Sequence, residues 1–273
     1  MKTTTGIGLR HVRVAVRDDD GTIKMQGSPA AGTAYAGIQI SGALALSVTV
    51  PDPQRVVARG DDRAYHTFQL PPTENPTGEL RVSKTNLDAI ALLTSTEEFG
   101  STKVRRMGFA TDKQGDEETL FIWGCREATD SDEASATFGD RRWQTYIFLS
   151  CRAAVRPATM EDAAIGEFTY TLAANPSTLD EFGAAFSTAV HGFTKAPILM
   201  VVTKYKFFID AFEGDGVETE FTLTKGASLQ DDSFIQVYVD GVVAAYTETA
   251  GVVTFAVAPA DGAKIIIEYD YLD

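Results

Sequence analysis

The pattern of apolar and polar positions along the chain is dominated by β-strand signals, the clearest an alternation with a period of two that suits strands burying one face. Leu9–Arg17 (LRHVRVAVR) shows it first, and the turn Asp18-Asp19-Asp20-Gly21 follows. Ile38–Val50 is a second extended stretch, with Leu44, Leu46, Val48 and Val50 expected on one face. Pro51-Asp52-Pro53 ends it, because proline gives no ladder donor. Gln54–Arg63 is charged and interrupted by Gly60, so an exposed loop is expected there, then a short strand at Tyr65–Leu70. Val104–Ala110, Leu120–Arg126, Trp143–Val155 and Phe168–Ala173 read as further strands, and Ile198–Thr203 as a buried one. Between them lie turn-like or acidic stretches, Thr111–Glu118 and Asp130–Asp140.

One helix stands out. Ser83-Lys84-Thr85-Asn86 offers capping side chains, and Leu87, Ile90 and Ala91 then fall on one helical face with Asp88 in the first turn. Ser177–Val190 reads both ways, since Thr178 and Glu181 fit a capping box while Gly183 weakens a helix. Near the C-terminus, Phe234–Val239 and Val242–Tyr246 flank Asp240-Gly241, a type I′ hairpin signal. Val252–Val257 and Lys264–Tyr269 suggest a second pair around Pro259-Ala260-Asp261-Gly262, and Phe221–Leu223 one more strand. About five strands in this region point to a small β-sandwich.

The chain has 273 residues and a formal net charge of −14. That charge is uneven. From Phe208 to Asp273 two bases face thirteen acids, a net of −11, which leaves −3 for residues 1–207. The break suggests two domains, 1–207 and 208–273, the second an acidic module that repels DNA and anionic membranes. No apolar run approaches the roughly 20 residues of a spanning helix, and the opening residues show no apolar leader core. With only Cys125 and Cys151, neither a disulfide framework nor a four-thiolate metal site is expected. A soluble, metal-poor protein made in a reducing compartment follows.

Candidate chemistry is sparse. His11, His66 and His191 are scattered and lack metal-site spacing. Gly6-Ile7-Gly8 lacks the third glycine of a dinucleotide loop, and Ile40-Ser41-Gly42 lacks the first glycine of a nucleophile elbow. Asp210, Glu213, Asp215 and Glu218 surround glycine turns but miss the spacing of a calcium loop, so a surface turn is expected. Both cysteines sit in predicted strands as small core residues. Arg105-Arg106 and Arg141-Arg142 each split between two strand faces, which suits salt bridges better than a phosphate grip. No catalytic constellation emerges, so no enzyme and no cofactor is expected, and a structural role is favoured.

Several stretches taken together carry a resemblance. They are GIGLRHVRVAVRDDDGTI, YAGIQISGALALSVTVPDPQRVVARGDD, FQLPPTENPTGELRVSKTNLDAIALL, WQTYIFLSCRAAVRPATMED and EFTYTLAANPSTLDEFG. Residues 1 to about 207 resemble major tail proteins, the tail tube subunits of long non-contractile-tailed bacteriophages. FEGDGVETEFTLTKG, VYVDGV and APADGAKIIIEY resemble a small β module appended to phage structural proteins. The resemblance implies a mainly β fold: an antiparallel β-sandwich or barrel with one flanking α-helix, plus a C-terminal, immunoglobulin-like β-sandwich that decorates the exterior. It further implies hexameric rings stacked into a hollow tube in the virion tail, assembled in the bacterial cytoplasm.

The implied partners are further copies of the chain and other tail proteins: tape measure, terminator and distal tail protein. DNA passes without specific binding, and no membrane is involved. A conduit must not hold phosphates, so an acidic or neutral lumen is expected, with Asp112, Asp116, Glu117 and Glu118 as candidate lumen or loop acids. In the resembled family a loop or hairpin in the first half of the chain reaches a neighbouring subunit or ring. Arg55, Arg59, Asp61, Asp62 and Arg63 are the candidates for that contact here. Two alternatives remain open: another phage ring protein, such as a terminator or a contractile-tail inner tube, and a receptor- or carbohydrate-binding virion module.

Overall fold

The computed structural model describes residues 4–25, 32–52, 54–60, 63–70, 74–83, 87–94, 98–101, 104–107, 120–130, 136–156 and 167–272. The fold is mainly β, with antiparallel sheets and little helix. In chain order the first part holds β1 (Thr4–Val16), β2 (Ile38–Gln39), β3 (Ala43–Thr49), β4 (Gln54–Gly60), β5 (Arg63–Leu70) and β6 (Thr77–Val82). Helix α1 (Leu87–Thr94), β7 (Glu98–Ser101), β8 (Val104–Met107), β9 (Leu120–Asp130) and β10 (Arg141–Arg156) follow. β11 (Phe168–Ala174), the one-turn α2 (Thr188–His191) and β12 (Ile198–Thr203) complete the body.

The main sheet of the body runs in the order β2-β1-β9-β10-β11-β6-β3, with β12 paired to the first half of β10, while β4-β5 and β7-β8 form two-stranded sheets of their own. β10 is long enough to carry β12 along Trp143–Phe148 and β11 along Cys151–Arg156. Alternation sends its residues, and those of β1 and β9, to two cores. Val12, Val14, Leu120, Ile122 and Phe148 meet α1 on one side. Ala15, Phe121, Trp123, Cys125, Trp143 and Ile147 form the other side. The alternation at Leu9–Arg17 suggests a strand with one dry face, yet Val14, Ala15 and Val16 are all buried, because both faces of the sheet are covered.

α1 forms where its periodicity places it, and the capping residues 84–86 lie outside the described residues. Ala89, Ile90 and Leu93 are the buried residues and Ala91 is only half-buried, so Leu93 rather than Ala91 completes the inward face. The extended stretch at Ile38–Val50 is broken: Gly42 adopts φ +77° and divides β2 from β3. A register shift between Ala43 and Ala45 turns Leu44 outward, and Val50 lies beyond the strand, so both are exposed. Gln54–Arg63 is not a loop. Gln54–Gly60 pairs with Arg63–Leu70 as a two-stranded ribbon, since Arg55-Val56-Val57-Ala58 supplies strand-forming residues whose backbone groups Thr67 and its neighbours satisfy. Ser177–Val190 is mostly irregular: the Asp180 carboxylate accepts N–H bonds from Phe182 and Ala184, and Gly183 takes φ +83°. Those bonds replace the helical ladder.

The C-terminal part holds β13 (Lys206–Glu213), β14 (Glu220–Thr222), β15 (Ile235–Val239), β16 (Val242–Val243), β17 (Thr247–Thr249), β18 (Val252–Thr254) and β19 (Lys264–Tyr271). They make two sheets, β13-β19-β15-β16 and β14-β18-β17, around Phe208, Phe212, Phe221, Val253, Ile267 and Tyr269. The hairpin at Asp240-Gly241 forms with φ 49° and 75°, as a type I′ turn requires. β18 and β19 do not pair with each other. β19 is central in the first sheet and β18 in the second, and the Pro259–Gly262 connection carries the chain between them.

The boundary expected at 207/208 lies inside β13, and packing does not stop there. Phe207, Ile209 and Ala211 on one face of β13, with Ile266 of β19, join the cluster of Trp123, Cys125 and Trp143. Phe208 and Phe212 on the opposite face enter the sandwich interior. Tyr35 and Ala211 also exchange two backbone hydrogen bonds, 2.8 and 2.9 Å, so a body segment extends the module sheet. Body and module are therefore expected to unfold together. Phe207→Ala should lower the unfolding free energy by about 3–5 kcal/mol, the usual cost of deleting a buried aromatic side chain, in one denaturant transition. Two separate transitions, with only one of them shifted, would contradict the shared core.

Candidate functional site

The residues expected to make contact with other copies lie on the β4–β5 ribbon. Arg55 and Arg59 are on β4, and Arg63 opens β5 opposite Gly60. The positions of their side chains, and Asp61 and Asp62 as a whole, lie outside the described residues, as do Asp112, Asp116, Glu117 and Glu118. Among the described residues, the ribbon is a separate two-stranded sheet, bonded to no strand of the main sheet. β3 pairs only with β6 and β12 only with β10, so each offers an edge without a described strand partner. On β12 the sequence ILMVVT carries no charge, and Met200 and Val202 are exposed. The expectation of a buried strand there is corrected: Leu199 and Val201 pack against the core on one face, while the opposite face, with Met200 and Val202, is open to solvent.

The second place where function-bearing groups gather is the junction between body and module. Lys264 of β19 reaches across to the Asp18 and Asp20 carboxylates. The Lys264 hydrogen bond holds the Asp18 carboxyl below its ordinary range. For Asp20, burial pushes upward, but bonds from Lys264 and Thr22 prevail and the net direction is down. Arg13 of β1 donates to the carbonyls of Ala36 (2.9 Å) and Gly37 (3.2 Å) and lies 4.6 Å from the Phe208 ring centre. Burial lowers its pKa, while the nearby Asp210 charge opposes that shift.

Asp210 belongs to no surface cation cluster. It is fully buried in the sandwich and accepts bonds from Thr224 Oγ1 (2.7 Å), Thr224 N (2.8 Å) and Tyr269 Oη (2.8 Å). Burial raises its pKa against those bonds. Asp215 stays in the exposed turn and accepts N–H bonds from Val217 and Glu218. Cys125 is buried beside Thr145 Oγ1 (3.1 Å), its thiol pushed up by burial to about 11, and Cys151 goes the same way to about 12. Such thiols are protonated at neutral pH and are poor nucleophiles. Arg141 pairs with Glu127 at 2.7 Å and lies over the Trp143 ring. Among the described residues, no group of three His, Cys, Asp or Glu side chains is arranged for a metal ion, and no helix is long and apolar enough to cross a membrane.

Sequence reasoning missed Arg13, Lys264, Glu181 and Glu268. A signal existed for the two on β19. In KIIIEYDY, alternation puts Lys264, Ile266 and Glu268 on one face, so charged residues flank an isoleucine that must be buried. The fold and these contacts define a mainly β protein whose buried polar groups brace two parts of the chain against each other. No known protein family matches the chain, and neither does any curated protein.

The Lys264 clamp is partly exposed, so its contribution is modest. Lys264→Met is expected to destabilise the fold by about 1 kcal/mol at pH 7. Because Asp18 and Asp20 have lowered pKa values, that contribution is present above the ordinary carboxylate range and lost as pH falls through it. Thermal melts of both proteins should converge once the pH has fallen below the lowered values of Asp18 and Asp20. A gap that persists in acid would show that Lys264 acts through packing alone.

Proposed function

We propose that the chain is a self-assembling structural protein, the tail tube subunit of a long non-contractile-tailed bacteriophage, forming stacked hexameric rings. The observation that carries the reading is the β4–β5 ribbon, a two-stranded arm separate from a sheet whose β3 and β12 edges lack a described strand partner. Such edges pair with another chain unless covered, and ring closure is one way to cover them. The resemblance of residues 1–207 supplies the class of assembly.

In this reading, β3 and β12 of successive subunits lie at the ring contacts and the ribbon reaches a neighbouring subunit or ring. Mixed charges on the ribbon fix register more than they add affinity. DNA passes through a lumen without a phosphate-gripping surface. The acidic module, at −11, lies on the outside, where six copies per ring repel one another least. Its packing against the body makes it a covering layer of the subunit as well as an ornament.

Electron microscopy of the purified chain should show six-fold rings or striated tubes, with subunit contacts above roughly 1,000 Å². Reversing Arg55, Arg59 and Arg63 together to Glu should leave circular dichroism unchanged and block stacking. A wild-type chain that stays monomeric at high concentration would overturn the reading. Normal-length tubes from the triple variant would remove the ribbon from the contact, and rings that never stack would favour a terminator instead.

A further inference from the structure

Glu181 and Glu268 are the least expected residues of the junction. Each is about 5–6% exposed, on opposite sides of it: Glu181 in the body segment before α2, Glu268 on β19. Phe182, next to Glu181, stacks on Tyr238 of β15, with ring centres 3.6 Å apart, so this segment is pressed flat against the module sheet. Glu181 Oε2 and Glu268 Oε1 are buried without a hydrogen-bond partner. An ionised carboxylate left in that condition is costly, whereas a protonated one costs far less.

The surrounding charges do not relieve the pair. On the same segment, Asp180 adds a third carboxyl that accepts the Phe182 and Ala184 N–H groups. On β19, Lys264 is committed to Asp18 and Asp20. From β1, the Arg17 guanidinium is held by the Gly21 and Leu179 carbonyls and Ser177 Oγ. From α2, His191 Nδ1 accepts the Ser187 N–H. Tyr238 of β15 faces all three carboxyls as a neutral phenol, pushed up to about 12 chiefly by burial. Opposite Glu268, β15 presents the uncharged Gln236 and β13 presents Ile209.

We propose that Glu181 and Glu268 form a proton-dependent latch that holds the C-terminal sandwich against the body while both are protonated and loosens that junction as the pair ionises. Burial raises the Glu181 carboxyl to about 7, with the Asp180 charge adding to it. Burial, then the charges of Glu181 and Asp180, raise Glu268 well above its ordinary value. When the junction opens, both groups return toward their ordinary value of 4.5. The closed state therefore binds more protons than the open one between those limits, and its stability falls as pH rises through them. The latch is tightest below about pH 4.5, where both states are protonated, and weakest above neutrality. It does not depend on the assembly reading.

Hydrogen exchange of the full chain, read by mass spectrometry at pH 5.5 and 8 and corrected for intrinsic rates, tests the latch. Peptides covering 177–186, 235–239 and 264–268 should lose protection on the order of tenfold or more at pH 8. The double variant Glu181→Gln and Glu268→Gln, which keeps side-chain size and removes the charge, should show no such loss. Equal wild-type protection at both pH values, or the same loss in the double variant, would overturn the proposal. Carboxyl NMR titration of the wild-type chain gives a reading that needs no variant: both glutamates must titrate well above 4.5, and ordinary values would equally overturn it.

Discussion

Two strands, β13 and β19, are buried on both faces, and the arrangement of the molecule depends on that double burial. Phe207, Ile209, Ala211 and Ile266 face the body, while Phe208, Phe212, Ile265, Ile267, Tyr269 and Tyr271 face the sandwich interior. Strands with two apolar faces need a layer on each side, so their sheet lies between the body sheet and the outer β14-β18-β17 sheet. Each fully buried large apolar side chain contributes about 1.5–3 kcal/mol. The junction is therefore a core rather than a contact between finished domains.

Close packing on both faces also explains the strictness of the local geometry. Beside the outer sheet, where the turn after β14 meets the β17–β18 turn, a Cβ on Gly226 would lie 2.6 Å from the Cα of Gly251, and Gly251 itself takes φ +82°. Backbones that approach so closely leave no room for a side chain. Polar groups inside this framework must be matched to one another. Asp210 is matched by Thr224 and Tyr269, and Lys264 by Asp18 and Asp20, whereas Glu181 and Glu268 each keep one oxygen unmatched. Their neutrality, not their charge, fits the closed junction.

Electrostatics divides along the same line. Part of the acidic excess of residues 208–273 is displayed on turns and loops, among them Asp215, Glu218, Asp231 and Asp232. Those that enter the interior, Asp210, Glu268 and Asp270, have raised pKa values led by burial. The net charge read from the sequence thus overstates what the folded module carries at mildly acidic pH.

Local chemistry made part of this legible in advance. The strand-forming runs at Leu120–Arg126, Trp143–Val155 and Phe168–Ala173, the helix from Leu87 and the Asp240-Gly241 turn each depend on neighbouring residues, and each took the expected form. Strand pairing was not legible, because it joins residues far apart. Nothing between Val252 and Tyr269 says that β18 and β19 enter different sheets, and nothing in Gln54–Arg63 outweighs its charges until Arg63–Leu70 is seen to pair with it. The acidic composition suggested a second module but not that β13, which spans the expected boundary, completes the core of the first part. Sequence alone fixes which residues prefer strand, turn or helix, because those preferences are local. Which faces meet, and hence that two glutamates far apart in the chain share one dry junction, was decided only by tertiary packing, where burial is a property of the assembled layers and not of any one segment.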